Sequence, residues 1–187
     1  GSTILLLLLG LPMLVIALLI RRGSPGPAIF KQERVGLEGR GFQCWKFRTM
    51  YMDADAQRDA LRAQHGDDGA TFKMAADPRV TPIGRFLRRF SMDELPQLVN
   101  VWRGDMSLVG PRPHPRDDVA RYDDLAVRRL RARPGMTGLW QVSGRSDLSW
   151  DESVRLDLYY VENWSLSMDF VIMASTVSAV VGGRGAY

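Results

Sequence analysis

The 187-residue chain carries 25 Lys and Arg against 21 Asp and Glu, a formal charge of +4, with 45% hydrophobic residues. That is one domain with a real core, and the charge favours an anionic partner. Cys44 is the only cysteine and His65 and His114 the only histidines, which excludes an intrachain disulfide and a thiolate metal cluster and leaves a His-based zinc site or a His-activated serine poorly supplied. Any metal is expected to be a hard, oxygen-bound ion such as Mg²⁺. The positive charge is almost wholly arginine, since Lys31, Lys46 and Lys73 are the only lysines. The planar guanidinium fork suits phosphate better than an ammonium does.

In chain order, Ile4 to Ile20 contains no polar side chain, and Arg21-Arg22 follow at once. Straight helix over that run reaches about 25 Å, short of a hydrocarbon core of about 30 Å. Gly10-Leu11-Pro12 interrupts it, and a proline there kinks a helix. A bent, re-entrant helix that enters one leaflet and returns is therefore expected alongside a simple span. The arginines on its C-terminal flank place the remainder on the cytoplasmic side. The division is a membrane helix over residues 1–23 and a cytoplasmic domain over 24–187.

Ser24-Pro25-Gly26-Pro27 ends the apolar helix. Ala28 to Val35 and Phe42 to Arg48 read as strands of a β-hairpin around a glycine-rich turn, Gly36 to Gly41. Met50 to about Gln64 reads as a polar helix closed by Gly66-Asp67-Asp68-Gly69, with Asp53 and Asp55 on a solvated face. Thr81-Pro82 opens the next helix with a hydroxyl cap and a first-turn proline. On it, Arg85 and Arg88 or Arg89 stand at i, i+3 and i+4, the spacing of a two-arginine clamp.

Ser91-Met92-Asp93-Glu94-Leu95-Pro96-Gln97 then sets two adjacent carboxylates beside those arginines. One reading is a capping box, with Ser91 and Glu94 satisfying free backbone N–H groups. Pro96 argues against Ser91 as N-cap, because the proline then falls at the fifth helical residue. With Asp93 as N-cap it falls in the tolerated first turn. Either register places Asp93 at the positive end of a helix dipole, which also favours a phosphate brought beside it. Spacing alone leaves the structural and functional readings open.

Further on, Pro111 and Pro113 fix the backbone on both sides of Arg112, holding its guanidinium at low entropic cost. Arg116 to Arg131 reads as a basic helix, and Gly135 to Gly138 with Arg145 as a glycine-spaced loop able to approach a phosphate or sugar. Trp150 to Trp164 reads as a helix. Leu166 to Val181 reads as a second one, apolar nearly all round, with Trp164, Tyr159 and Tyr160 at headgroup level. The fold class is mostly α with a small β-hairpin, anchored by the N-terminal helix and assisted by amphipathic interfacial helices.

Phe30-Lys31-Gln32-Glu33-Arg34-Val35-Gly36, Lys46-Phe47-Arg48-Thr49-Met50, Asp77-Pro78-Arg79-Val80-Thr81, the Ser91 to Gln97 block, Gly104 to Pro113 and Pro134 to Gly138 together resemble the bacterial sugar transferases known as monotopic phosphoglycosyl transferases. The blocks occur in register over nearly the whole chain. The resemblance implies transfer of a sugar-1-phosphate from a UDP-sugar to polyprenol phosphate, usually undecaprenyl phosphate, at the bacterial inner membrane, as the first membrane step of exopolysaccharide, capsule or O-antigen assembly. It implies Asp93 as nucleophile forming a covalent aspartyl phosphosugar, and Asp93 with Glu94 as Mg²⁺ ligands. Arg85, Arg88, the Pro111-Arg112-Pro113 corner and Arg145 fall to substrate. It also implies Pro12 as the membrane kink, although Leu11 stands where a related short form has serine. The Gly-Arg-Gly-Ala-Tyr ending looks like longer members, of which this chain is expected to be the catalytic portion. Lipid is an expected partner, nucleic acid is not, and a homodimer is the assembly to test. Two other classes compete: a basic membrane-attached binding or scaffold protein, which needs no Asp93-Glu94 pair, and an Asp-nucleophile hydrolase, in which water replaces the lipid phosphate.

Overall fold

The computed structural model describes residues 1–54, 56–57, 77–144 and 148–182. The first helix, α1 (Ser2–Gly23), is one continuous segment with Pro12 inside it and Arg21 and Arg22 in its last turn. It is longer than the uninterrupted apolar run, and at about 33 Å it is long and apolar enough to cross a membrane. Its shielded residues, Leu5, Leu6, Leu9, Met13, Ile16, Ala17 and Ile20, recur at helical spacing along one stripe. The opposite face stays open, with Leu7 80% and Leu11 72% exposed.

The hairpin forms as the pattern requires. Strand β1 (Ile29–Val35) pairs antiparallel with β2 (Gly41–Phe47), Ile29 opposite Phe47 and Val35 opposite Gly41. Helix α2 (Pro82–Arg89) begins on Thr81, whose Oγ1 accepts from the Gly84 amide at 3.0 Å. A Cβ on Gly84 would sit 2.1 Å from the Thr49 carbonyl oxygen, so only glycine lets α2 come this close to the strand exit.

Helix α3 (Gln97–Arg103) starts later than expected. Its N-cap is Pro96, and Met92–Glu94 forms a separate 3₁₀ turn entered through Ser91 at φ 52°. Neither the Ser91–Glu94 capping box nor an Asp93 N-cap forms, because the left-handed step at Ser91 closes one turn and Pro96 opens the next helix. The Ile16, Ile20, Phe47 and Leu87 core receives Met92 and Leu95, which bracket the acidic pair.

A second, unexpected ladder pairs β3 (Ser107–Val109) in parallel with β4 (Gly135–Thr137). The glycines there serve close backbone approach. A Cβ on Gly135 would lie 2.1 Å from the Gly110 amide, and one on Gly138 would lie 2.4 Å from the Gly110 carbonyl oxygen. The basic helix expected over Arg116 to Arg131 is instead α4 (Arg116–Val119), α5 (Asp124–Val127) and a 3₁₀ turn, Arg128–Arg131. Asp123 restarts the chain as N-cap, accepting from the Ala126 amide at 2.7 Å. Short α6 (Leu139–Ser143) precedes α7 (Trp150–Glu162), which opens on a complete Ser149–Glu152 capping box. The last helix, α8 (Leu166–Gly182), buries Ile172 and exposes Leu166, Phe170, Val171 and Val177. Most of the polar helix read to Gln64, with Asp55, and the Gly66 to Gly69 loop lie outside the described residues.

Candidate active site

The two carboxylates of the Met92–Glu94 turn have opposite surroundings. Glu94 Oε1 accepts from Lys46 Nζ at 2.8 Å and from Arg112 Nη2 at 2.6 Å, and Oε2 accepts from Arg112 Nη1 at 3.3 Å. Burial opposes its charge, but Arg112 and Lys46 outweigh that and hold the carboxyl well below the usual range. Arg112 is raised in turn, chiefly by Glu94.

Asp93 accepts no hydrogen bond among the described residues. Burial, and then the neighbouring Glu94 charge, raise its pKa, opposed by Lys46, Arg88 and Arg112. Two adjacent acids pushed apart in this way is the pattern by which one fold separates two acid roles. Asp93 is thus left without a hydrogen-bond donor of its own among the described residues, with cations near enough to act on its charge.

A carboxyl raised above its unfolded value contributes stability below the unfolded pKa, near 3.8, and loses it as pH rises through the folded value. Asp93→Asn is therefore expected to raise the melting temperature at neutral pH, with the gain vanishing toward pH 3, as differential scanning fluorimetry across pH will show.

Of the expected arginine clamp, one member is in place. Arg88 donates from Nε to the buried Thr49 hydroxyl at 2.9 Å; burial lowers its pKa, and the charge of Asp93 pulls the other way. Arg85 is exposed and its side chain makes no hydrogen bond or ion pair among the described residues, and Arg89 stacks on Phe90. The buried face of α2 runs through Gly84 and Leu87 to Arg88, so Arg85 is turned away. Asp77 and Arg79 form a buried ion pair, a structural use of that motif.

Arg112 stands on a fully tied corner. The Val109 carbonyl accepts from Tyr160 Oη (3.2 Å), Pro111 from the Gly135 amide (2.9 Å), Arg112 from Arg129 Nη2 (3.4 Å), Pro113 from Arg34 Nη1 (3.1 Å) and His114 from the Val35 amide (2.9 Å). Arg145 lies outside the described residues. Two supports went unread in the sequence. Lys46 opens the Lys46 to Met50 stretch, yet nothing local shows that it reaches Glu94. Asn100, fully buried on α3, accepts from the Trp45 amide at 3.0 Å and donates to the Gln43 carbonyl at 2.7 Å, which locks β2 and with it Lys46.

The donor set fits Mg²⁺. Asp93 offers unengaged hard oxygens, and magnesium commonly takes one or two carboxylates and completes its shell with water and substrate phosphate. Among the described residues no three acidic, His or Cys side chains gather, so the protein's share of that shell is limited to such a pair.

An apolar helix long enough to cross a membrane thus shares one core with an arginine-flanked acidic turn. The chain belongs to the bacterial sugar transferase family, whose model matches residues 1–183. It is 45% identical over its full length to a galactosyl transferase of Streptococcus agalactiae and covers 41% of that protein. It is 44% identical, over 99% of itself, to the undecaprenyl-phosphate galactose phosphotransferase of Salmonella typhimurium, covering 40%. It is also 44% identical over its full length to exopolysaccharide production protein ExoY of Rhizobium meliloti, covering 84%. The chain thus spans about two fifths of the first two relatives.

Proposed function

We propose that this chain transfers a sugar-1-phosphate from a UDP-sugar to polyprenol phosphate, with Asp93 as nucleophile. The observation that carries the reading is the unengaged Asp93 carboxylate set between Arg88 and the Lys46–Glu94–Arg112 cluster. Asp93 attacks the sugar-bearing β-phosphorus, the bond from that phosphorus to the bridging oxygen breaks, and UMP departs with the electron pair. A phosphate oxygen of the polyprenol phosphate then attacks the same phosphorus and expels Asp93 as carboxylate. One diphosphate is exchanged for another, so no further energy source is needed. Arg88 and Arg112 offset charge on the phosphoryl oxygens, and their bonds to Thr49 and Glu94 keep them oriented before substrate arrives. Asp93 and Glu94 would hold Mg²⁺, which when bound neutralises diphosphate charge. Glu94 would do so by releasing part of its hold on Lys46 or Arg112.

The lipid substrate explains the anchor. Ile16 and Ile20 of α1 pack in the same core as Met92 and Leu95, so the acidic turn is fixed to the membrane helix itself. With one stripe of α1 covered by the domain and the other face apolar and open, shallow entry into the cytoplasmic leaflet, turning at Pro12, suits the helix better than a free span. Arg21 and Arg22 favour the cytoplasmic face of the inner membrane, and the exposed side of α8 adds a second apolar contact. In detergent with Mg²⁺, UMP release from UDP-sugar is expected only when polyprenol phosphate is present beyond a single turnover. Continued release without acceptor would make the protein a hydrolase, and none at all with a panel of UDP-sugars would leave a binding protein.

A further inference from the structure

We propose that Asp157, acting through Arg129, is a positioning residue that aims Arg112 at Glu94. Asp157 on α7 is 0% exposed, and its Oδ2 accepts from Nη2 of Arg129, itself 3% exposed. From there Arg129 reaches the corner twice. Nη2 also donates to the Arg112 carbonyl at 3.4 Å, and Nη1 donates to Tyr122 Oη at 2.9 Å. Tyr122 Oη lies 2.9 Å from Nδ1 of His114, whose carbonyl is held by Val35. The polar chain from Asp157 therefore touches the segment on both sides of Pro113. Tyr160, one turn along α7, holds Val109 from the other end, so a single helix buttresses the whole corner.

Core filling does not account for the pair. Taking two charges out of water costs more than an apolar pair of equal volume, and such replacements are commonly neutral or stabilising. Here the pair also leaves Asp157 Oδ1 and Arg129 Nε without partners. What leucine and methionine cannot do is donate to the Arg112 carbonyl and the Tyr122 hydroxyl. Those bonds set the backbone from which the Arg112 fork reaches both oxygens of Glu94.

The test is the paired replacement Arg129→Met with Asp157→Leu, made alone and on Arg112→Ala. Two readouts are taken in detergent: ¹⁵N-arginine NMR of the Arg112 guanidinium, and UMP release. The swap is expected to keep the melting temperature within a few degrees and to replace the resolved, slowly rotating Nη signals of Arg112 by an averaged one. UMP release should fall about a hundredfold, as misplacement of a reacting-site group does. On the Arg112→Ala background it should cost almost nothing further, because the two changes remove one interaction. Unchanged Arg112 signals, or a loss that adds in full to that of Arg112→Ala, would overturn the proposal. Should the swap not fold, Asp157→Asn, which keeps the volume and an acceptor, carries the same two readouts. The turnover arm rests on the transferase reading, whereas the NMR arm does not. Averaged Arg112 signals on the swap, with no UMP released even by the unaltered chain, would uphold the positioning role and sink the transferase.

Discussion

Asp93→Asn is expected to lower UMP release by at least about ten-thousandfold, the scale on which removal of a covalent nucleophile is felt. The substitution keeps size and shape and leaves Glu94 with both its cations, so the site remains assembled. It removes the anionic oxygen that attacks phosphorus and that would share Mg²⁺ with Glu94. Binding of UDP-sugar should survive, since Arg88 and Arg112 are untouched, and loss of the negative charge among phosphates should if anything tighten it. Calorimetric titration beside a UMP-release assay separates the two. A variant that keeps turnover within tenfold would assign the nucleophile elsewhere.

The second large effect is on stability and has the opposite sign from the first residue's. Glu94→Gln leaves Lys46 and Arg112, 21% and 29% exposed, facing a neutral amide and each other. Breaking a largely buried ion pair on one side costs roughly 3 kcal/mol, or about 10 °C in melting temperature for a domain of this size. Because the folded Glu94 pKa lies below its ordinary 4.5, its contribution is full above that value and is lost as pH falls through the folded pKa. The gap between wild type and variant should therefore be widest near neutrality and narrow in acid. Asp93, relieved of a like charge, should titrate lower, moving the acid limb of any residual activity to lower pH. Equal melting temperatures at neutral pH would mean that Glu94 is not the keystone of the cation cluster.

The two adjacent carboxylates thus divide the work. Glu94 is held ionised by Lys46 and Arg112, whereas Asp93 is raised by burial and by Glu94 and accepts no hydrogen bond among the described residues. Side-by-side identity in sequence hides that difference, which comes from Lys46 on β2 and Arg112 beyond β3 converging on one carboxylate only.

That convergence marks how much the sequence discloses. Local chemistry was legible: the β-hairpin from two strands around a glycine turn, the Thr81 cap, the start of α7 at Trp150, the proline-braced Arg112. Contacts across the fold were not. The β3–β4 ladder has three residues a side, too short to distinguish from loop, and its glycines are where two backbones come into close approach. Arg85 looked equivalent to Arg88 because spacing fixes relative angle on a helix and leaves open which face is buried. Gly84 and Leu87 decide that, in favour of Arg88. Neither the Ser91 nor the Asp93 N-cap formed, because the left-handed step at Ser91 has no signature in a serine. Asn100 and Asp157 were unreadable for the same reason in reverse: a buried polar residue looks like a surface one until its partners are known.

The proposed transfer runs through a covalent bond between Asp93 and phosphorus. Its most direct measurement is intact-protein mass spectrometry, followed by peptide mapping, of the purified chain incubated with UDP-sugar and Mg²⁺ and no lipid acceptor. One sugar-phosphate per chain is expected, mapping to Asp93, lost on adding polyprenol phosphate and missing from Asp93→Asn. Release of UMP without any adduct, or an adduct that persists in Asp93→Asn, would contradict it.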